Sequence, residues 1–472
     1  MVRSRHGRSL SEAGNETSHA HVLGVGGRGM AGLAQSLAAS GLNVSASGNS
    51  EAADVSRLQR AGIKFLHSSA PPYTSETRLL IHGPEIRREH PARLGALKRG
   101  IRQETPASWL AEKMRGRIGV ALVGGREASV SAAMIALVLD QAGHDPSVFL
   151  GTPSPQLGGW TREGSGPHLV AAWAGDATGL GTIKPSISVL LNLGADPSID
   201  RPRWASTYQE YLAEAAADSH ILALGHPSYV NPSAPRPPHS RHEWLALERG
   251  GHWWGADLRE ESGRFRFRIF HLGRYVMEVR LQVPGRRNVA SALAAAAVCE
   301  RLGVPSPAIR QGLEDFTGLK RDFESRGSYR GVSLVDDESE DAFSVQHALA
   351  TARKTYGSRR LWSVYAPPST ATAPDELCEL LKAFSIADRV LITARQTDAS
   401  ELLSEASPSR ILTQTLAAGG VRVSRASSVA QAISDLDQTL EPGDVLLTLG
   451  TGDVGTIADA FIRRLPRDRQ DG

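Results

Sequence analysis

The chain has 472 residues, of which 41% are hydrophobic and 22% charged, a composition typical of a globular protein with two or three domains. Its net charge of +3 comes from 53 basic and 50 acidic residues mixed along the chain. There is no sustained basic stripe of the kind that nucleic acid requires, and no apolar run long enough for a membrane span. The sequence therefore predicts no nucleic-acid partner and no membrane-spanning segment.

The first 19 residues are polar, carry three arginines and lack the apolar core of a secretion signal. We expect a disordered tail over residues 1–19 and a cytoplasmic protein. The two cysteines, Cys299 and Cys378, lie in apolar helical surroundings without metal-ligand spacing. This pattern predicts two buried free thiols.

From His21 the pattern is strand, glycine-rich turn, helix and a second strand over 42–47. Glycines let the backbone approach a phosphate, whose charge the following helix N-terminus favours. The candidate phosphate-binding residues are Gly24, Gly26, Gly27, Gly29 and Met30. The usual dinucleotide fingerprint would add an acid near the end of the second strand, where this chain has Gly48. We favour phosphate binding over a purely structural turn.

The stretch GVALVGGREASVSAAMIALVLDQAG, residues 119–143, is a second strand, glycine turn and helix, the layout of a phosphate-binding loop. Its lysine is missing, because Glu127, Ala128 and Ser129 stand where such a loop would have Gly-Lys-Thr. Gly124 and Gly125 remain, and Ser129 retains a hydroxyl for magnesium. The question is whether this is a changed nucleotide loop.

Further along, an alanine-rich helix is predicted to begin near Asn288, and the part of the chain from about Lys320 again alternates strands with helices. A last glycine turn follows at Gly450. Strands that alternate with helices predict parallel sheets. The fold class predicted from the residues is therefore α/β, in three blocks.

The co-linear order of these motifs resembles the Mur ligases of bacterial cell-wall synthesis, over roughly 21–465. The stretches that carry the resemblance are GVGGRGMAGLA, AMIALVLDQAGHDPSVFLG, GRRNVASALAAAAVCERLG, FTGLKRDFESRG, LVDDESEDAFSV and LLTLGTGDVGTIADAF. The resemblance implies a Rossmann-like N-terminal domain over 20–112, a P-loop-type central domain over 113–317 and a Rossmann-like C-terminal domain over 318–468. It is strongest to the members that join L-alanine to UDP-N-acetylmuramate, which implies a UDP-N-acetylmuramate-like small molecule as the partner.

In the family the ATP loop reads Gly-Thr-His-Gly-Lys-Thr-Thr, which aligns with 124–130. The lysine that neutralises the β- and γ-phosphates is Ala128 here, and a glycine is replaced by Glu127. A carboxylate would oppose the phosphates in a confined site. The resemblance therefore implies an altered ATP loop.

Metal ligands of the family also change. The glutamate that binds magnesium aligns with Gly175, and the histidine that helps to hold a second metal aligns with Pro197. Asp176 and Asp196 are then more simply explained as surface carboxylates. We predict no metal-binding residue with its expected partners.

Four residues are kept at family positions that contact nucleotide, and they are candidate residual contacts: Asn192, Asn288, Arg321 and Asp336. Simpler explanations stand beside them. Asn288 can cap the helix that it begins, and Asp336 with Asp337 can form a solvated turn at the end of a strand. The arginine that follows Arg321 in the family is Asp322 in this chain.

Two functions remain open from the sequence. One is an ATP-dependent ligase that activates a carboxylate of a UDP-linked muramic acid as an acyl phosphate and joins it to L-alanine, with ATP and Mg²⁺ as cofactors. The other is a non-catalytic homologue without these cofactors that still binds a UDP-sugar or a protein partner. Phosphoryl transfer depends on charge placed around the phosphates, and those charges are lost together. We therefore favour the second function.

Overall fold

The structure is a computed structural model, and it describes residues 18–26, 29–48, 52–66, 73–83, 86–173, 180–191, 219–224, 241–368, 373–394 and 407–464. These residues form three β-sheets in succession along the chain, each with helices packed on it. The described helices include none with the length and hydropathy that a membrane crossing needs.

The first sheet has five parallel strands in the order β3-β2-β1-β4-β5. The strands are β1 (His19–Leu23), β2 (Asn43–Ser47), β3 (Lys64–Leu66), β4 (Thr77–His82) and β5 (Arg102–Glu104). The helices are α1 (Met30–Ala39), α2 (Ala52–Arg60), α3 (Pro91–Lys98) and α4 (Pro106–Met114). Because β1 pairs with both β2 and β4, the strand order reverses at β1, and ligands of such sheets bind at the carboxyl ends of the strands there.

The second sheet has ten strands in the order β15-β14-β13-β12-β11-β10-β6-β9-β7-β8. They are β6 (Ile118–Val123), β7 (Ser147–Ser154), β8 (Gly159–Arg162), β9 (His168–Trp173), β10 (Ile187–Leu190), β11 (His220–Leu224), β12 (Arg241–Ala246), β13 (Trp253–Glu261), β14 (Arg264–His271) and β15 (Arg274–Pro284). The helices are α5 (Arg126–Gln141), α6 (Leu180–Ile183), α7 (Arg286–Arg301) and α8 (Ser306–Glu314). Strand β14 is antiparallel to both β13 and β15.

Strand β6 shows how this second sheet is covered on both faces. Val120 and Leu122 point into a core with α5 and α7, whose many alanines allow close packing. Ala121 and Val123, on the opposite face, pack in a core that includes residues of the first sheet and its helices. The first and second sheets therefore share one continuous hydrophobic core.

The third sheet has six strands in the order β16-β17-β21-β18-β19-β20, parallel except for the β16-β17 hairpin. The strands are β16 (Glu324–Tyr329), β17 (Val332–Asp337), β18 (Leu361–Tyr365), β19 (Arg389–Thr393), β20 (Val423–Ala426) and β21 (Val445–Leu449). The helices are α9 (Ala342–Tyr356), α10 (Pro374–Phe384), α11 (Pro408–Ala418), α12 (Val429–Thr439) and α13 (Thr456–Ile462). The three-domain α/β fold is confirmed, whereas the boundaries at 112/113 and 317/318 and the tail over 1–19 remain predictions.

The prediction for the cysteines is half right. Cys299 is buried inside α7, and burial raises the pKa of its thiol. Cys378 is exposed, because the buried side of α10 is formed by Leu380, Ala383 and Phe384 and Cys378 lies on the other side. The apolar neighbours of Cys378 in the sequence therefore gave a wrong prediction of burial.

Candidate nucleotide sites

The first glycine loop leaves β1 at the carboxyl edge of the first sheet, where the strand order reverses. The backbone amides of Gly24 and Val25 donate to the Ser47 carbonyl oxygen at 2.8 and 3.1 Å. Gly48 follows in the same region, and a Cβ built on Gly48 would lie 2.6 Å from the Val25 nitrogen. The missing acid at the end of β2 now has a physical reason, because the loop leaves no room for a side chain there.

Helix α1 begins directly behind this loop. Gly29 lies at its N-cap with a φ of 81°, a left-handed conformation that glycine adopts without strain. Met30 is buried, Gly26 is exposed, and Gly27 lies outside the described residues. No side chain of the described ranges caps α1, so its first amides face the loop unsatisfied by a cap. Phosphate binding at this loop remains a prediction.

The second glycine loop follows β6 in the central sheet. Gly124 has a φ of 143°, and a Cβ there would lie 2.9 Å from the Leu191 carbonyl oxygen. Gly125 is the N-cap of α5, which begins at Arg126. The layout of strand, glycine turn and helix is therefore as predicted, and Glu127, Ala128 and Ser129 lie in the first turn of the helix.

The residues at the positions of the family's Lys-Thr pair are buried in the protein. Ala128 is completely buried in the core that α5 shares with the second sheet. Ser129 is also buried, and its Oγ accepts a hydrogen bond from the Gly151 amide of β7 at 3.1 Å. The hydroxyl proposed for magnesium is therefore engaged with the neighbouring strand.

Arg126 reaches from the second glycine loop into the third domain. Its Nη1 lies 3.0 Å from the Arg321 carbonyl oxygen, 3.2 Å from Asp322 Oδ1 and 3.5 Å from Asp337 Oδ2. Its side chain is only 16% exposed, against 18% and 7% for the two carboxylates. A single guanidinium therefore joins two carboxylates of another domain where they are largely removed from water.

Burial and charge act in opposite directions in this group. Burial raises the pKa of Asp322 to about 6, although the Arg126 guanidinium opposes that rise. Burial alone would lower the pKa of Arg126, but the charges of Asp337 and Asp322 outweigh it and raise this pKa above its ordinary range. Arg126 is therefore charged at pH 7.

Glu127 is balanced by a positive charge within the same cleft. Its Oε1 lies 3.2 Å from Arg287 Nε, at the start of α7. The Arg287 guanidinium also lies over the ring of Phe343 in the third domain, 4.8 Å from the ring centroid. Burial, with a further effect of Arg287, lowers the pKa of the nearby His347 to about 4, so this imidazole is neutral at pH 7.

Arg321 and Asp336 form an ion pair inside the third domain. Arg321 Nε donates to Asp336 Oδ2 at 2.9 Å, and Arg321 Nη2 donates to the Gly450 carbonyl oxygen at 2.5 Å. Thr448 Oγ1 donates to the other carboxylate oxygen of Asp336 at 2.7 Å. Both candidate nucleotide contacts therefore hold the last glycine turn against β17, and their contact with a nucleotide remains a prediction.

The interpretation of Asp336 and Asp337 as a solvated turn is wrong. Both side chains are buried, because β17 is an interior strand between β16 and β21. Asp337 accepts from the backbone amides of Phe323 and Ser339, each at 2.8 Å. The carboxylate that Arg126 meets is therefore fixed in position by its own domain.

The suggestion that Asn288 caps its helix is also wrong. Helix α7 begins at Arg286, two residues earlier, with Gly285 as its N-cap. Asn288 Nδ2 donates instead to the Pro284 carbonyl oxygen at 2.7 Å. Its side chain lines the cleft between the central and third domains, where nucleotide contact remains a prediction.

The other predicted positions lie outside the described residues. They are Asn192, Asp176, Asp196, Gly175 and Pro197. In the part of the chain that the structure describes, no group of three or more His, Cys, Asp or Glu side chains is arranged to hold a metal ion.

The cavity beside the second glycine loop, between the central and third domains, is small. The cavity lined by Arg126, Glu127, Arg287, Asn288 and His347, with their neighbours, has a volume of about 50 Å³. Sites for small-molecule ligands have roughly 300–1,000 Å³. Among the described residues, this cavity has room for a few water molecules and is smaller than the sites that hold ligands the size of a nucleoside triphosphate.

Sequence reasoning did not identify Arg126, Arg287 and Asp322 as interacting residues. A signal was present for two of them. Arg126 adds a positive charge where the family loop has histidine, and Asp322 adds a negative charge where the family has arginine. Opposite charges that are gained in two separate motifs indicate a new ion pair between those motifs.

Comparison with known proteins gives two family matches. The model described as "Mur ligase family, catalytic domain" matches residues 19–117, and the model described as "Mur ligase, glutamate ligase domain" matches residues 323–452. The matched segments contain the first glycine loop and the Asp336-Asp337 strand.

Relatives and solved structures match along almost the whole chain. UDP-N-acetylmuramate–L-alanine ligase of Acetivibrio thermocellus is 27% identical over 459 residues, covering 95% of this chain and 96% of the relative. The enzyme of that name from Nitratidesulfovibrio vulgaris is 29% identical over 460 residues, covering 95% and 99%. The crystal structure of the UDP-N-acetylmuramate-alanine ligase of Thermotoga maritima superimposes with a TM-score of 0.77 at 19% identity, covering 94% of this chain and 98% of the other. A murein peptide ligase of Psychrobacter arcticus gives a TM-score of 0.68 at 18% identity, covering 95% and 98%.

Proposed function

Because this chain belongs to the Mur ligase family and resembles the L-alanine ligases of peptidoglycan synthesis over 95% of its length, we propose that it is a non-catalytic homologue of those enzymes. It binds a UDP-sugar of the UDP-N-acetylmuramate class in its first domain and does not turn over ATP.

One observation carries this proposal. Arg126 and Glu127 stand in the second glycine loop before the position of the missing lysine, and both line a cavity of about 50 Å³. Arg126 pairs with Asp322 of the third domain, and Glu127 pairs with Arg287 of the central domain. A triphosphate bound there would meet the Glu127 carboxylate and would lack the Lys and metal charges on which phosphoryl transfer depends. A helix N-terminus contributes only about 0.3 to 1 kcal/mol toward a bound charge, which does not replace them.

The first domain supports retention of the UDP-sugar. Its glycine loop lies at the reversal of the strand order, and α1 starts behind it without a side-chain cap in the described residues. In the described part of this first glycine loop there is no ion pair like those of Arg126 and Glu127 in the second loop. The binding function is therefore assigned to this domain and not to the central one.

An active ligase is the second candidate. It is favoured by the coverage of at least 95% of this chain and of two relatives that are named as UDP-N-acetylmuramate–L-alanine ligases. In that case the third domain would move away from Arg126 to admit ATP and Mg²⁺. The ligase would then activate the carboxylate of UDP-N-acetylmuramate as an acyl phosphate and form the amide with L-alanine.

The deciding experiment supplies the purified protein with ATP, Mg²⁺, UDP-N-acetylmuramate and L-alanine. We expect binding of UDP-N-acetylmuramate by calorimetry and no phosphate release above background. Phosphate release that requires both UDP-N-acetylmuramate and L-alanine would establish the ligase instead. Absence of UDP-N-acetylmuramate binding would contradict the assignment of the first domain.

A pair of variants locates the binding site. Gly27→Asp introduces a side chain and a negative charge into the first glycine loop and should abolish binding of the UDP-sugar. Gly41→Asp introduces the same charge at a turn where a Cβ meets no atom within 4 Å, and it should bind as the parent does. Equal affinity of parent and Gly27→Asp would place the ligand elsewhere.

A further inference from the structure

The contacts of Arg126 have a consequence for the arrangement of the domains that goes beyond the proposed function. We propose that Arg126, Asp322 and Asp337 form an internal clasp that keeps the third domain closed on the central domain without any nucleotide. The name clasp is used below for these three residues.

The clasp joins two parts of the chain that are far apart in sequence. Arg126 lies 196 residues before Asp322 and 211 before Asp337. Arg126 belongs to α5 of the central sheet, and Asp337 ends β17 of the third sheet. No shared secondary structure links these elements, so their contact depends on how the two domains are placed.

Two of the three acceptors of Arg126 are also held by contacts within the third domain. Backbone amides of Phe323 and Ser339 fix both oxygens of Asp337, at 2.8 Å each. The carbonyl of Arg321, which takes the third contact of Arg126, also accepts from the Glu338 amide at 2.9 Å. A preformed set of acceptors loses little conformational entropy when the guanidinium binds.

The strength of the clasp depends on how opening of the cleft changes the hydration of its three charged groups. Removing one partner of a buried ion pair leaves an uncompensated charge, and this is strongly destabilising. In the folded protein the opening of the cleft instead exposes all three groups to water, where the charges are solvated again. The clasp therefore keeps the domains closed when the attraction between Arg126 and the two carboxylates exceeds the hydration that these charges would regain on opening.

A second set of contacts lies beside the clasp and acts in the same direction. Glu127 forms an ion pair with Arg287, and the Arg287 guanidinium lies over Phe343 of the third domain. Farther along the same interface, Lys354 Nζ lies 3.0 Å from Glu260 Oε2. Two consecutive residues of the altered loop thus contribute to closure, Arg126 directly and Glu127 through Arg287.

The contact surface also includes backbone. The amide of Lys320 donates to the Pro153 carbonyl oxygen at 2.9 Å, just before the first strand of the third domain. A Cβ built on Gly263, in the turn between β13 and β14, would lie 2.3 Å from Thr355 Oγ1 of α9. The third domain is therefore held at several points, and the clasp is the charged one at the second glycine loop.

The first test needs no substitution. Small-angle X-ray scattering of the full chain without nucleotide should give the curve calculated for the closed arrangement, and added ATP should leave it unchanged. A wild-type curve that corresponds to separated domains overturns the clasp, as does compaction on addition of ATP.

The second test uses matched variants of the full chain. Arg126→Met keeps an unbranched apolar side chain and removes the guanidinium with its charge, whereas Arg162→Met removes ion pairs to Asp140 and Asp145 within the central domain alone. We expect hydrogen exchange of the backbone over 318–345 to rise roughly tenfold or more in Arg126→Met and to stay unchanged in Arg162→Met. Unchanged exchange in Arg126→Met contradicts the proposal.

A third variant covers the case in which Arg126→Met fails to fold. Asp322→Asn keeps the shape of the side chain and removes the charge that faces Arg126, and it should raise exchange over the same segment. Unchanged exchange in Asp322→Asn overturns the clasp as well. The result is separate from the proposed function, because phosphate release in the ligase assay would refute catalytic inactivity while leaving the scattering and exchange results as they are.

Discussion

Glu127 Oε1 lies 3.2 Å from Arg287 Nε, which joins the second glycine loop to the helix that follows the central sheet. The sequence led us to expect an unbalanced carboxylate that repels phosphate. In the structure the positive charge of Arg287 balances the Glu127 carboxylate, so Glu127 is part of an ion pair in the protein without ligand.

The Glu127–Arg287 pair is predicted to contribute to stability. A double-mutant cycle with Glu127→Gln and Arg287→Met should give a coupling of about 1 to 2 kcal/mol in the free energy of unfolding, because both groups are largely buried. Urea unfolding of the four proteins measures it. The control is the exposed pair Lys382 and Glu379, whose charged atoms are 2.7 Å apart and whose coupling should stay below about 0.5 kcal/mol. Equal coupling at the two sites would show that burial adds nothing.

The first glycine loop is predicted to reject any side chain at residue 48. Gly48→Ala places a Cβ at 2.6 Å from the Val25 nitrogen in addition to a φ of 146°. We expect a loss of roughly 2 to 4 kcal/mol in the free energy of unfolding, together with loss of UDP-sugar binding. Gly41→Ala shares the positive φ but meets no atom within 4 Å, and it should cost only about 1 kcal/mol. Similar losses in urea unfolding for the two variants would mean that backbone conformation alone matters at Gly48.

His21 gives a prediction about pH. It is buried between Ser45 Oγ at 2.7 Å and Ser47 Oγ at 2.8 Å, and burial lowers the pKa of its imidazole to about 3. An unfolded imidazole takes up a proton near a pH of about 6.5, so stability is full above that pH and falls as the pH drops toward 3. The loss due to His21 should be about 2 kcal/mol by a pH of about 5.

His21→Gln keeps hydrogen-bonding groups but does not titrate, and it provides the comparison. Urea unfolding at a pH of about 7.5 and of about 5 should show a loss for the parent that exceeds the loss for His21→Gln by that amount. If both proteins lose the same stability on acidification, the imidazole does not carry the effect.

Restoring the missing lysine is predicted not to restore a ligase. Ala128 is completely buried, so Ala128→Lys together with Glu127→Gly places an ammonium group where no described acid compensates it. We expect a lower melting temperature, ATP binding at most, and no phosphate release, because Gly175 and Pro197 still replace metal ligands of the family. Glu127→Gly alone is the control for the loss of the Arg287 contact. Rapid substrate-dependent phosphate release by the double variant, and not by Glu127→Gly alone, would contradict the prediction and show that the altered loop was limiting.

The sequence predicted the elements around each loop because their signals are local. The second strand was expected over 42–47 and is found at Asn43–Ser47, and the strand, turn and helix at the second loop lie where the glycines indicate. Alternation and glycine position are properties of a few consecutive residues. For this reason these elements can be predicted without any information about the rest of the chain.

The contacts between domains were not predicted for the opposite reason. Arg126 and Asp322 are 196 residues apart, and neither lies in a pattern that specifies the other. The burial of Asp337 likewise depends on β21, which lies more than a hundred residues later and pairs with β17. A carboxylate at the end of a strand looks solvated until the neighbouring strand and the facing domain are known.

Gly124 shows that a glycine in a binding loop can be required by the packing of the backbone as well as by a bound phosphate. Its φ of 143° and the distance of 2.9 Å from its virtual Cβ to the Leu191 carbonyl oxygen arise from the adjoining backbone and require no phosphate. A protein that no longer binds nucleotide would still lose stability if this glycine were replaced. Replacing the lysine that the family has at position 128 would leave the backbone conformation unchanged. Glycine patterns therefore record the ancestry of the fold, whereas the residue types at Glu127 and Ala128 bear on the chemistry that the loop can perform.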